Sequence, residues 1–365
     1  MLVIVPHIAS AEMLPGPAWV QHTAATIAHG VDLFFVLSGF GLAYPLLAGR
    51  LNGTAVRLDL LTYAFNRCYR ILPPFYAAVI LAYVGAFLAK ALGHFTNDDL
   101  LFVPHSIYEA LAPLLLFDRG NLPINPNLWT IAVQFRWYAV FPLLLLIWVK
   151  SPRAFGVLLG CAWLGYLFTR ERTIDLGTIP LFMLGIVAAE LIARRHRLLK
   201  YALVVLPLAL AAALAWDPHV MAPDPWETEA HFLGQPTSFP WHIAAFAMVL
   251  IAPTVRPIRA LLSWPPLVAL GTASFSLYLV HQPVIAVVVA KFGHNGGFIA
   301  TVALLASGFA FWWCVERPLT HSARRRRIRE RTLPVMARIF AWLGFPQTLA
   351  VDPLDGAGAS ALTVR

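Results

Sequence analysis

Charge is what this sequence lacks most. Of its 365 residues only 12% are charged and 59% are hydrophobic, with a mean hydropathy of +0.70, whereas a soluble domain carries about 25% charged residues. That deficit excludes a soluble globular protein. Cysteine is scarce as well: Cys68, Cys161 and Cys314 lie in or beside apolar segments with no paired or metal-ligand spacing. A disulfide framework and a thiolate metal site are therefore not expected, and the three read as small apolar residues. No strand-like alternation and no internal repeat is visible, and no basic region precedes the first apolar stretch as a cleavable signal requires.

What is present is a succession of apolar runs. About 20 such residues cross the hydrocarbon core as a helix, and the sequence offers nine runs of that kind with a shorter one in front. The expected spans are Leu2 to Ala11, Ala28 to Ala48, Leu72 to Leu92, Leu128 to Val149, Phe155 to Thr169, Thr178 to Ala193, Leu199 to Trp216, Pro240 to Val255, Pro266 to Ala290 and Phe298 to Val315. The fold class is all-α, a polytopic transmembrane helix bundle, because helices satisfy every backbone group internally. At a rise of about 1.5 Å per residue the first span covers only half the core. It reads as truncated, with residues missing upstream.

The loops orient the bundle. One set carries Arg50, Arg57, Arg67 and Arg70, then Lys150 and Arg153, then Arg194, Arg195, Arg197 and Lys200, then Arg256 and Arg259, then the tail from Arg317. The alternate set holds most of the acids: Glu12, Asp98, Asp99, Glu109, Asp118, Glu171, Asp175, Asp217, Asp224, Glu227 and Glu229. Cytoplasmic loops are enriched in Lys and Arg, so both termini are expected in the cytoplasm. The same pattern accounts for the net charge of +9 and removes the case for nucleic acid. A transmembrane domain is expected over 1–319 and a basic cytoplasmic tail over 320–365, partly disordered or on the membrane surface. The loop from Asp217 to Phe239, with His219, His231 and the nearby His242, lacks metal-ligand spacing, so no metal is expected.

Ionisable residues within apolar spans cost about 2.5–3.5 kcal/mol each on insertion scales and so mark candidate functional sites. His7 lies near the outer end of the first span and Asp32 about one turn into the second, so by depth they could meet. A carboxylate-bound imidazole is a general base, but Asp32 could equally cap its helix. Gln134 and Arg136 sit near the outer end of the fourth span. In the ninth, Ser274, Tyr278 and His281 recur at i, i+4 and i+7 on one helical face. Interhelical packing remains open as an alternative for this polar set. At the inner boundary Arg67 and Arg70, at i and i+3, suit the phosphates of a large anionic donor, as they also suit a positive-inside loop.

Five stretches in order, G-V-D-L-F-F-V-L-S-G-F from Gly30, R-C-Y-R-I-L-P-P-F-Y from Arg67, L-W-T-I-A-V-Q-F-R-W-Y-A-V-F-P from Leu128, S-F-S-L-Y-L-V-H-Q-P from Ser274 and V-E-R-P from Val315, resemble the membrane acyltransferase-3 family. The resemblance implies an enzyme of the bacterial cytoplasmic membrane that moves an acyl group from acyl-CoA, typically acetyl-CoA, to hydroxyls of carbohydrates, lipid-linked glycans or small acceptors. No permanently bound cofactor is implied. His7 takes the place of the family's central histidine, Arg67 and Arg70 that of its donor-binding motif, and Ser38, Gln134, Arg136, Ser274, Tyr278 and His281 supporting places. The expected mechanism is proton abstraction from the acceptor by His7, supported by Asp32, with an acyl-histidine relay as the alternative. Two departures stand out: no arginine lies about ten residues before His7, and Gln134 replaces the usual glutamate, which a glutamine cannot match as a base. The contrasting readings are an inactive glycan-binding relative and a transporter, which predicts inverted repeats.

Overall fold

The computed structural model describes residues 4–10, 29–53, 56–91, 107, 111, 116, 125–168, 174–216 and 239–351. The acidic loop residues up to Asp118, with Glu171, His219, His231, the acids between 217 and 229, and the glycine-rich end from Gly356, lie outside the described residues. In its described residues each expected apolar span falls mainly on helix: α1 Ile4–Ser10, α2 Gly30–Leu51, α3 Leu60–Ala91, α4 Trp129–Lys150, α5 Pro152–Phe168, α6 Ile174–Ala193, α7 Ala202–Trp216, α8 Phe239–Thr254, α9 Arg256–Leu262, α10 Pro265–Thr272, α11 Ser274–Phe292 and α12 Gly297–Phe311. A π-helical turn Trp312–Glu316 continues α12 into α13 Arg317–Thr320, and α14 Ser322–Trp342 follows.

Among the described residues five helical segments are long and apolar enough to cross a membrane, or up to seven if each bent pair counts as one span. The apolar stretch of α6, Gly177–Ala193, is shorter, and α5 has 17 residues. Two helix pairs are bent, the first where an apolar run ends and the second inside one. α8 and α9 meet at 90° and α10 and α11 at 67°, so the stretch Pro266 to Ala290 is two helices rather than one rod. At the first bend Val255 is extended ahead of Pro257 in the opening turn of α9. There Pro257, within the first turn, presets the backbone of the new helix. α3 runs unbroken through Pro73 and Pro74 and begins about three turns earlier than its apolar run, which places Arg67 and Arg70 on a helix.

Against the all-helical expectation there is one small addition. Val56–Asp59 (β1) pairs antiparallel with Thr348–Val351 (β2), Val56 opposite Val351, and the Leu60 amide donates to the Gln347 carbonyl at 2.9 Å. Asp59 then caps α3: its Oδ1 accepts from the Leu61 and Thr62 amides, both at 3.0 Å, and its Oδ2 from the Thr62 hydroxyl at 2.6 Å.

The exterior is apolar, as lipid demands: Leu37, Ile80, Leu81, Phe87, Leu203, Leu208 and Phe298 are exposed. The interior of the main core is built from Phe35, Phe75, Trp129, Phe141, Phe155 and Phe182. Since lipid offers no hydrophobic drive between helices, close backbone approach carries the packing. A Cβ on Gly39 of α2 would stand 2.1 Å from the Phe182 carbonyl oxygen, and one on Gly185 of α6 2.2 Å from that of Val36. These two glycines let α2 and α6 touch main chain to main chain. A second core joins Ile4 and Ile8 of α1 to Leu277, Ile285 and Val288 of α11 and to Ala300 and Leu304 of α12. It is this packing that aims His7 at α11.

Candidate active site

His7 sits between Ile4 and Ile8, so the apolar anchors of α1 turn its imidazole toward α11 and the start of α4. Its ring lies 5.1 Å from that of His281. Asn127, in the 3-10 turn Pro126–Leu128 that opens α4, bridges the two: its Nδ2 is 3.1 Å from His7 Nε2 and 2.8 Å from His281 Nε2. Gln282 Nε2 lies 3.0 Å from His7 Nδ1.

Elementary bonding rules fix the protons. His281 Nδ1 is 2.6 Å from the Tyr278 carbonyl oxygen, which only accepts, so Nδ1 carries the proton and Nε2 is the acceptor. Asn127 must then present its NH2, whose second hydrogen goes to His7 Nε2. That leaves the His7 proton on Nδ1, so the Gln282 amide turns its oxygen toward it. The lone pair of His7 therefore points at Asn127 and into the cluster. Tyr278 completes this end: its hydroxyl donates to the Asn127 carbonyl at 2.6 Å and lies 2.6 Å from Thr130 Oγ1.

From here a polar line descends α4. Asn127, Thr130, Gln134 and Tyr138 are spaced at i, i+3, i+7 and i+11, one stripe of a helix, which spans about 16 Å at about 1.5 Å per residue. Gln134 Nε2 donates to Ser38 Oγ at 2.6 Å and closely to Tyr138 Oη, and Ser38 in turn donates to the Phe34 carbonyl at 2.7 Å. At the far end the Arg67 guanidinium stands 5.7 Å from the Tyr138 ring and 5.9 Å from the Tyr63 ring, while Tyr63 donates to the Tyr138 carbonyl at 2.8 Å. Arg67 Nε is buried without a hydrogen-bond partner. Arg70, one turn on, is exposed. The structure thus brings His7, Tyr278 and His281 to one end and Ser38, Gln134 and Arg67 along the line below. Arg136 is half-buried elsewhere on α4.

Two expected placements need correction. Asp32 does not support His7: its Oδ2 bonds His29 Nδ1 at 3.2 Å, and His29 stacks on Trp241 of α8 with centroids 4.6 Å apart. Depth fixes height but not direction around a helix. Phe34 and Ser38 face Tyr278 and Gln134, while His29 and Asp32 leave α2 toward α8. There His242 is fully buried, with neither ring nitrogen hydrogen-bonded, and Asp32 Oδ1 is likewise unbonded. Ser274 is at the α10–α11 bend, where its hydroxyl donates to the Gly271 carbonyl at 2.7 Å. Instead Ser276 is buried and donates to Glu316 at 2.6 Å, tying α11 to the V-E-R-P stretch. Among the described residues no group of three His, Cys, Asp or Glu side chains could hold a metal ion.

Asn127, Gln282 and His29 were missed by the sequence reading. Asn127 and Gln282 carry no charge to flag them, and His29 is only the second residue of its expected span, at the edge of the apolar run.

Comparison with known proteins agrees with the motifs. The peptidoglycan O-acetyltransferase OatA of Listeria monocytogenes is 25% identical over 289 residues, covering 70% of this chain and 44% of its own length. YrhL of Bacillus subtilis, provisionally named for the same activity, is 27% identical over 305 residues with the same coverage of both chains. A provisionally named O-acetyltransferase of Staphylococcus aureus is 24% identical over 298 residues, covering 71% of this chain and 46% of its own. The chain thus spans less than half the length of these relatives. No solved structure matches it. The family described as "Acyltransferase domain" matches residues 1–317, and the chain accordingly belongs to the acyltransferase-3 family of membrane proteins.

Proposed function

We propose that this chain is an integral membrane O-acyltransferase of the bacterial cytoplasmic membrane. It moves an acyl group, acetyl in the simplest case, from acyl-CoA to a hydroxyl of a carbohydrate or lipid-linked glycan. The observation that carries the reading is the polar line of α4, which runs between a paired imidazole site and the half-buried Arg67, whose Nε is buried without a hydrogen-bond partner. Donor phosphates are held by Arg67 and Arg70, the latter exposed at the entrance, and the flexible arm of the donor brings its thioester up the line toward His7. The acceptor hydroxyl displaces the Asn127 amide from His7 Nε2 and gives its proton to that nitrogen as its oxygen attacks the thioester carbon. The carbon–sulfur bond breaks, and His7 returns the proton to the departing thiolate. His281, held through its Nδ1 proton by the Tyr278 carbonyl, keeps Asn127 in the orientation that makes His7 Nε2 an acceptor. The names of the relatives make a peptidoglycan-type sugar the first acceptor to try.

The test is transfer of label from acetyl-labelled acetyl-CoA in membranes containing the chain or its His7→Ala variant, each given peptidoglycan fragments, lipid-linked glycans and small sugars. An alkali-labile ester is expected with the first. Loss of general base catalysis makes the variant slower by roughly 100- to 10,000-fold. Equal transfer by both would remove His7 from the chemistry, and transfer by neither, with both correctly inserted, would favour a binding protein.

A further inference from the structure

α14 has two faces with different surroundings. Leu333, Met336, Ala337 and Phe340 are half-buried against the bundle, and Arg325 Nη2 donates across to Asn66 Oδ1 of α3 at 2.8 Å. The opposite face is exposed along its length. Arg324, Arg327, Ile328, Arg331, Val335, Ile339 and Trp342 recur there at three- and four-residue spacing, the repeat of a single helical stripe. Its character changes on the way. In the first half His321, Arg324, Arg327, Ile328 and Arg331 line a concavity of about 440 Å³. In the second half the stripe is apolar and ends on Trp342, 84% exposed.

We propose that this stripe binds an anionic phospholipid at the bilayer surface. The phosphate lies among Arg324, Arg327 and Arg331, and the glycerol and upper acyl chains lie against Ile328, Val335, Ile339 and Trp342. A soluble anion would satisfy the guanidinium groups but leave the apolar half in water. A zwitterionic lipid would cover the apolar half, but its own ammonium group already balances its phosphate, so it brings three guanidinium groups no net counter-charge. An anionic lipid meets both halves, with the planar guanidinium matching phosphate oxygens and the indole suited to the interface. The neighbouring Arg326 is engaged otherwise, bonded to Glu330 at 2.8 Å.

The experiment is native mass spectrometry of the full chain in neutral detergent, titrated with phosphatidylglycerol and, separately, with phosphatidylcholine of the same acyl chains. The glycerol lipid is expected to bind at least about tenfold more tightly, since each basic residue near an anionic surface adds appreciably. R324Q/R327Q/R331Q, three exposed changes, should bring the two lipids level, and R324K/R327K/R331K should keep the preference. Equal binding of the two lipids by the unmodified chain, or an unchanged preference in the glutamine variant, overturns the proposal. So does displacement of phosphatidylglycerol by coenzyme A or inorganic phosphate, which would mark a free-anion site instead.

Discussion

Gln134 donates to Ser38 and Tyr138, two hydroxyls from which a carboxylate in the same place would accept. A glutamate there would also gain a counter-charge, because Tyr138 stands between position 134 and the Arg67 guanidinium, 5.7 Å from its ring. Gln134→Glu should therefore be accommodated and raise the rate of acyl transfer on the order of tenfold, less than the roughly 100- to 10,000-fold that a group transferring the proton itself supplies. Initial rates of ester formation measure it; a variant that inserts normally and gains nothing would favour the inactive, glycan-binding reading. Position by position, legibility followed cost. His7, Tyr278 and His281 could be found because polar groups in apolar spans are expensive and need a reason. Asn127 and Gln282 were illegible because neutral amides are cheaper and Asn127 sits at the end of a loop. Asp32 was correctly singled out and wrongly partnered, since a carboxylate one turn from His29 on its own helix is met sooner than an imidazole on another.

The helices themselves could be read from apolar run lengths, and their joints could not. The bend at Ala273 leaves the apolar run uninterrupted, that at Val255 falls where the run ends and reads only as a basic loop, and the four-residue strands β1 and β2 are too short to show alternation. What holds the elements is equally local. Gly39 and Gly41 stand two residues apart on α2, yet a Cβ at Gly39 would meet the Phe182 carbonyl at 2.1 Å while one at Gly41 meets nothing within 4 Å. Gly39→Ala should cost roughly 1–3 kcal/mol by overpacking against main chain that cannot yield, and Gly41→Ala should be neutral or slightly stabilising. Melting temperatures of the two variants in one detergent check this, with a several-degree drop expected for the first alone.

Asp59 is the corresponding case at a helix start. Burial pushes its carboxyl up, but the hydrogen bonds from the Thr62 hydroxyl and the Thr62 and Leu61 amides, helped by Arg329, outweigh this and hold it below the usual carboxylate range. A lowered folded value means stability present above the unfolded pKa, about 3.9, and lost as pH falls through the lower folded one. Asp59→Ala should cost on the order of 1 kcal/mol at neutral pH, as lost N-caps do, with the difference from the unmodified chain vanishing in acid. Melting curves at pH 7 and pH 3 give the comparison; an equal deficit at both would show that the cap is not the cause.

At the scale of the whole molecule the bundle separates two chemistries along one helix. Arg67 stands at one end of the Asn127 to Tyr138 stripe and the imidazole pair at the other. The five motifs made the family legible across most of the chain, because each marks a place where helices must touch closely or bury a polar group. The stripe itself stayed hidden, since Thr130 and Tyr138 look ordinary until Tyr278, Ser38 and Arg67 are brought to them by other helices. This division of labour predicts separable defects. The most direct test is a steady-state comparison of Arg67→Gln and His7→Ala at varied acyl-CoA concentration. The account predicts a KM for acyl-CoA raised roughly tenfold or more with kcat largely kept in the first, and a kcat lowered at least about 100-fold with KM largely kept in the second. The same parameter failing in both variants, or Arg67→Gln lowering kcat alone, would contradict a donor end and a chemical end joined by α4.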